Sequence, residues 1–237
     1  MSQLTGPTQV AGQPLFSTSS VQQHVLGEKM VSPDGRSFRY CKAGGTTLVP
    51  GKLQSASAED TALQAIACAV SAVGATTVTT TATVTLTANQ LSGGYLTFES
   101  ATTGAGLTYR IKSHPAASAA VVTLTLEDPI ITATTGTVLA DMIPSPYDGV
   151  VVNASTAVTC PIGVAIYPIT NAQYGWLQTS GPVSVLMDGT GVVGTAQAAS
   201  NATAGAVEPL TGVQASVGTL ITGVATTDYG MIMLNLE

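Results

Sequence analysis

The residues able to do chemistry in this chain are few and scattered. Its two histidines, His24 and His114, stand far apart and without a second ligand or nucleophile nearby in sequence. Nucleophilic catalysis needs a base beside the nucleophile, and metal binding needs grouped ligands; the sequence carries neither pattern. Carboxylates fall in adjacent pairs, Glu59-Asp60 and Glu127-Asp128. On a strand, neighbours point apart, whereas glycoside hydrolysis needs two carboxylates on one cleft. Asp188-Gly189-Thr190-Gly191 holds the letters of an aspartic-protease loop in the wrong order and reads as a hairpin turn. The glycine-rich stretches lack the Lys-Ser/Thr that completes a phosphate loop. Tyr174 and Trp176 could stack on a sugar, but large rings beside glycines also centre a β core. Cys41, Cys68 and Cys160 are widely spaced, odd in number and free of any CxxC or Cys/His grouping. That argues against a disulfide framework or zinc site and points to a reducing cytoplasm. The expectation is a non-enzymatic protein with no catalytic residue, metal or cofactor.

Composition points to burial against neighbours. Only 8% of the 237 residues are charged against 45% hydrophobic, with mean hydropathy +0.37. No run approaches the ~20 apolar residues of a membrane span. The apolar content is mostly Ala and Val diluted by Thr and Gly, which favours pleated, half-buried surfaces over helices. So charge-poor an exterior is expected to be covered in an assembly. A net charge of −6 argues against nucleic acid as a partner.

The basic residues are concentrated. Lys29, Arg36, Arg39, Lys42 and Lys52 share one segment with only Glu28 and Asp34, a net of +3 that leaves −9 elsewhere. Two readings stay open, a solvated basic loop and a docking surface for an acidic partner, in which Arg36, Arg39 and Lys42 make the contact. A strand beginning near Ser37 with Phe38 and Tyr40 turned inward would turn Arg39 outward toward a partner carboxylate.

The elements that must position these groups are strands. Residues 1–23 are polar, Gly/Pro-punctuated and aperiodic, and read as an extended N-terminal arm, disordered or ordering only on a partner. They lack the basic start and apolar core of a signal peptide. Residues 24–73 form a basic β segment and linker expected to pack with the C-terminal domain. Within them, 56–74 holds the one plausible helix, with Leu63, Ile66 and Val70 at near-helical spacing, or else an extended linker. Residues 74–148 read as a central β-barrel or sandwich, with Val78 to Thr87 one strand carrying a threonine ladder, followed by alternation at Tyr95–Phe98, Leu107–Ile111 and Val122–Leu126. Residues 149–237 form a C-terminal β domain organised around Tyr174 to Gly194, in which Gly181-Pro182 is expected to break two strand-like runs. Gly163-Val164-Ala165 with Tyr174-Gly175, and Gly223-Val224-Ala225 with Tyr229-Gly230, hint at a duplicated β-unit. The fold class is mainly β, with small barrel or sandwich domains after the arm and at most one short helix.

Leu26-Gly27, Asp34-Gly35-Arg36-x-Phe38-Arg39-Tyr40, Gly44 and Gly51-Lys52-Leu53 together resemble the start of head decoration, or cement-type, structural proteins of tailed bacteriophages. Ala88-Asn89-Gln90, Gly93-Gly94, Gly106-x-x-Tyr109-x-Ile111 and Leu124-x-Leu126 also resemble β-domains of phage structural proteins. The likeness is strongest over 26–53 and 161–237 and rests on glycines, turns and aromatics, which specify a scaffold and no chemical site. It implies a virion protein, made in the host cytoplasm, that sits on the outer capsid surface and bridges copies of the major capsid protein. It further implies a homotrimer on symmetry axes, with no nucleic-acid or membrane partner. The competing expectation is a tail-fibre or surface adhesin module that binds a host receptor.

Overall fold

The structure, a computed structural model, describes residues 12–155, 160–212 and 214–237. Along the chain come β1 (Lys29–Val31), β2 (Ser37–Lys42) and β3 (Leu53–Ser55), then β4 (Ile66–Cys68), β5 (Thr77–Thr79), β6 (Val84–Leu86), β7 (Tyr95–Ser100) and β8 (Thr108–Ser113). They are followed by β9 (Ala117–Ala120), β10 (Thr123–Leu126), β11 (Val138–Ile143), β12 (Val151–Val152) and β13 (Pro161–Ala165). Last come β14 (Tyr174–Leu186), β15 (Ala196–Ala199), β16 (Val207–Pro209), β17 (Ser216–Thr222) and β18 (Tyr229–Asn235). With 44% strand and 1% helix, the mainly-β expectation holds, and the antiparallel sheets curl into half-barrels.

The chain divides into two compact units, one running up to Ser57 and resuming over Pro146–Glu237, the other Ala58–Ser145. The sequence boundaries at 73/74 and 148/149 therefore move to 57/58 and 145/146. Residues 58–73 go with the central unit because β4 ladders to β11, pairing Cys68 with Val138 and Ile66 with Ala140.

Within Ala58–Ser145 the sheet order is β4-β11-β7-β8-β10-β5, with β6 and β9 paired apart. Alternation puts Leu96, Phe98, Tyr109, Ile111, Leu124 and Leu126 into one core, while threonines meet across strands outside it. The Oγ1 atoms of Thr97 and Thr108 lie 3.0 Å apart and those of Thr79 and Thr123 2.9 Å apart. The single strand expected over Val78 to Thr87 is instead two, β5 and β6. The break comes where Thr80 turns inward, its hydroxyl accepting the Val122 amide at 2.9 Å, and where the amides of Thr81 and Ala82 turn to the Ala67 carbonyl.

The helix expected within 56–74 does not form. One 3-10 turn, Thr61–Leu63, is capped by the Asp60 carboxylate and gives way to β4. Of the proposed apolar face only Leu63 is fully buried, and Val70 is exposed, so a helix there would have no continuous stripe to bury. The ladder to β11 satisfies that backbone instead.

In the other unit the order is β12-β3-β13-β14-β18-β17-β15-β16, with β2 also on β14 and β1 on β2. β14 is continuous through Gly181-Pro182, where two runs were expected. The Leu236 amide donates to Thr179 O at 3.0 Å and the Met187 amide to Asp228 O at 2.9 Å. Those bonds make the odd-numbered residues of β14 the hydrogen-bonded ones toward β18, so Pro182, opposite Met233, falls where no N–H is needed. The Asp188-Gly189 turn makes no hairpin either, since β14 ladders to β18 and the chain crosses a long loop to β15. The suggested duplication is not structural: Gly163-Val164-Ala165 lies in β13, while 223–225 lies in the loop between β17 and β18.

Candidate functional site

Each cation proposed for partner contact already faces a carboxylate of its own chain. Strand β2 alternates as expected, with Phe38 and Tyr40 joining Met30 and Trp176 in one core cluster. Arg39 therefore points to the opposite face, but it is not left free for a partner. Its Nε lies 2.9 Å from Glu237 Oε1 and its guanidinium donates to Gly27 O at 2.8 Å. Lys29 pairs with the same Glu237 carboxylate, and the Thr179 hydroxyl donates to it at 2.7 Å. Burial pushes the Glu237 carboxyl up, but the bonds from Lys29, Thr179 and Arg39 outweigh burial and hold it below the usual carboxylate range. Arg36 sits at the turn, 2.7 Å from Asp34 and over the Phe38 ring at 5.5 Å. Bonds from the Ser32 hydroxyl and Arg36 hold the Asp34 carboxyl down at about 2. Lys42 is the loosest of the three, 3.9 Å from Asp148 and 5.8 Å from the Tyr174 ring. The structure thus gathers Arg39 with Lys29 at one carboxylate and leaves Arg36 and Lys42 in separate pairs.

The histidines are structural. Residues 12–23, expected to be part of a free arm, are pinned to the core by Gln13; residues 1–11 of that expectation lie outside the described residues. The Gln13 side-chain amide donates to Ser17 O and Tyr174 O, both at 2.9 Å, and its oxygen accepts the Tyr40 hydroxyl at 2.7 Å. Its backbone carbonyl accepts the Trp176 indole N–H at 3.1 Å, and its amide donates to His24 Nε2 at 3.3 Å. The His24 ring lies 5.0 Å from that of Tyr40 and 5.1 Å from that of Trp176. His114 is buried as well, with Nε2 accepting the Leu91 amide at 3.0 Å and Nδ1 donating to Pro115 O at 2.8 Å. Trp176 is only 1% exposed, which removes it from any sugar-stacking surface. Burial pushes the Cys41 thiol up, and the Cys68 thiol up to about 11, so both remain protonated at neutral pH. Asp188 accepts the Ser200 hydroxyl at 2.5 Å, and Ser200 in turn accepts the amides of Ala202 and Thr203, a loop clasp. Among the described residues no three His, Cys, Asp or Glu side chains group to hold a metal, and no helix is long and apolar enough to cross a membrane.

A feature that sequence reasoning missed lies along β14. Beyond Gln178 that strand loses β13, its partner on one edge, and a shallow groove of about 370 Å³ opens there, lined by Pro50, Gly51, Ile166, Ser184, Tyr229 and Met231. Buried Gln178 replaces the missing strand: its Nε2 donates to Ser180 O at 3.1 Å and to Pro182 O at 2.9 Å. Pro182 offers no N–H to a further strand, which keeps this edge open. No family model, curated protein or solved structure matches this chain. The only sequence trace of the groove was Gly181-Pro182 itself, read as a strand break. Glycine is needed before Pro182 because Gly181 takes φ +92°, a backbone a side chain resists, and a Cβ there would lie 2.8 Å from Arg36 Cγ.

Proposed function

We propose that this protein is a non-enzymatic virion component that decorates and stabilises an assembled phage capsid, bridging copies of the major capsid protein on its outer surface. The observation that carries this reading is the charge-poor exterior. Only 8% of residues are charged, and large apolar side chains such as Phe16, Ile131, Tyr229 and Met233 stand exposed on a folded β scaffold. Such a surface suits a protein covered by neighbours. A protein that binds the assembled lattice and not its free subunits stabilises that lattice by mass action, and a homo-oligomer multiplies weak contacts. Because Arg36 and Arg39 are neutralised internally, the contact in this reading is mainly apolar, with Lys42 as its accessible cation.

The test is to add purified protein to particles stripped of it, then to measure occupancy and the temperature at which the shells rupture. Saturable binding with a higher rupture temperature supports the reading. Absence of binding to heads, together with labelling of tails or of host cells, would replace it with the adhesin function. Lys42→Ala should lower occupancy modestly and weaken its salt dependence, since a contact at a wet rim is worth about 1 kcal/mol or less.

A further inference from the structure

His24 is held as a hydrogen-bond acceptor where residues 12–18 meet the core. Its Nε2 accepts the Gln13 amide at 3.3 Å, so the ring proton sits on Nδ1, which faces Glu28 Oε1 at 3.4 Å. That pattern belongs to the neutral imidazole, because the imidazolium carries an N–H on both nitrogens. A second proton, placed on Nε2, would point one donor at another. Glu28 can accept from the ring in either charge state, whereas the Gln13 amide can bond only the neutral one.

The surroundings decide which side gives way. The ring is buried between Tyr40 and Trp176, whose strands β2 and β14 are paired through those two residues. Gly12 lies so close that a Cβ on it would stand 2.6 Å from Nε2, so backbone packs directly on the ring. Residues 12–18 are held more lightly. Their polar attachments to the core all run through Gln13, which meets Tyr174 O, the Tyr40 hydroxyl and the Trp176 indole N–H, with half-buried Leu15 packed on the same aromatic cluster. The next fixed point is Ser19, whose amide and carbonyl both bond Tyr174, at 3.1 and 2.9 Å. Among the described residues Glu28 is the charged side chain in contact with the ring. Strands β2 and β14 present Tyr40 and Trp176 to it, residues 12–18 carry no charge, and Lys42 stands one ring further away, over Tyr174.

We propose that His24 is an acid-operated latch, whose protonation releases residues 12–18 from the Tyr40–Trp176 cluster about a hinge at Ser19 while the β scaffold stays folded. The latch does not rest on capsid binding and would operate in the free protein.

Imidazole NMR of the full chain from about pH 8 to 5 gives the protonation midpoint of His24, its signal identified by its loss in His24→Gln. Acrylamide quenching of Trp176 should rise about threefold or more over the same range, with the same midpoint. Quenching is the readout because an imidazolium beside the indole dims it without exposing it. The Gln13 amide and the Trp176 indole N–H should lose exchange protection together, while the Ser19 amide stays protected and far-UV dichroism stays flat. In His24→Gln, whose side-chain oxygen can accept the Gln13 amide but cannot take up charge, Trp176 should stay covered throughout. Should that variant already be open at pH 8, Glu28→Gln decides in its place: opening must follow the imidazole midpoint wherever the lost carboxylate sets it. Trp176 that stays covered while His24 protonates, opening at an unchanged midpoint in His24→Gln, opening that parts from the imidazole midpoint in Glu28→Gln, or a His24 that stays neutral until the whole chain unfolds overturns the proposal.

Discussion

Glu237 gathers more of this fold's electrostatics than any other single side chain described. It joins β1 through Lys29, β2 through Arg39 and β14 through Thr179, residues that the sequence places far away. Its carboxyl titrates below its usual value of 4.5 in the folded state. A carboxylate with a depressed folded pKa stabilises fully above its unfolded pKa and loses that contribution as the pH falls through the folded one. Stability should therefore decline on acidification below about pH 4.5, and Glu237→Gln should flatten that decline. At pH 7 the same substitution should cost about 1–3 kcal/mol, because it leaves two cations beside a neutral amide. Urea melts of both proteins from pH 3 to 7 check this; parallel pH profiles would show that the cluster contributes nothing. Gln13 gives the second residue-scale expectation. Its side chain serves Tyr40, Tyr174 and Ser17 at once, so amides over 12–23 should be protected from hydrogen exchange in the isolated protein. Gln13→Ala should open that segment and cost about 1–3 kcal/mol through the stranded polar groups of the core. Exchange as fast as in an unfolded peptide in the wild type would contradict the pinning.

At the scale of elements, backbones approach closely where β17 meets β18. A Cβ on Gly218 would stand 2.3 Å from the Met233 carbonyl oxygen and 3.1 Å from Leu234 Cα, both backbone atoms that cannot rotate away. Gly218→Ala should push the two strands apart and cost about 1–3 kcal/mol, read as a lower denaturant midpoint. An unchanged midpoint would mean that the ladder yields freely there. Alternation made the longer strands of the central unit legible in the sequence, because a period of two with Leu, Phe, Tyr and Ile on one side leaves β7, β8 and β10 one way to bury them. Two elements misled for physical reasons. Leu63, Ile66 and Val70 supply helical spacing in 56–74 among alanines that add little bulk, so spacing alone promised a stripe that packing does not reward. Pro182 reads as a breaker until its ladder position is known, and the parity of a ladder is set by the partner strand. The ion pairs were illegible for a plainer reason: Arg39 and Glu237 are 198 positions apart, and composition shows a basic segment without showing what neutralises it.

For the whole molecule, the two units differ in how the chain builds them. One is assembled from two separated stretches, with β2 and β3 docking on β13 and β14. Its strands become adjacent only after a loop longer than Ala58–Ser145 has closed, an entropic cost that grows slowly with loop length. The other is a single continuous segment, Ala58–Ser145, whose core from Leu63 to Met142 lies entirely within it. A segment with its own core and short connections should fold alone, and faster than the discontinuous unit. Expressed as 58–145, it should give strand-type far-UV circular dichroism and one cooperative urea transition with a slope of about 1 kcal/mol/M. The remaining unit, with Ser57 joined to Pro146 by a short flexible linker, should keep the Trp176 fluorescence of the intact protein, since that ring packs among His24, Tyr40 and Gln13 of its own unit. Full-length unfolding should then show Trp176 reporting on one transition while backbone dichroism reports on both. A fragment 58–145 that stays unfolded, with a single coincident transition in the intact chain, would make the protein one cooperative body.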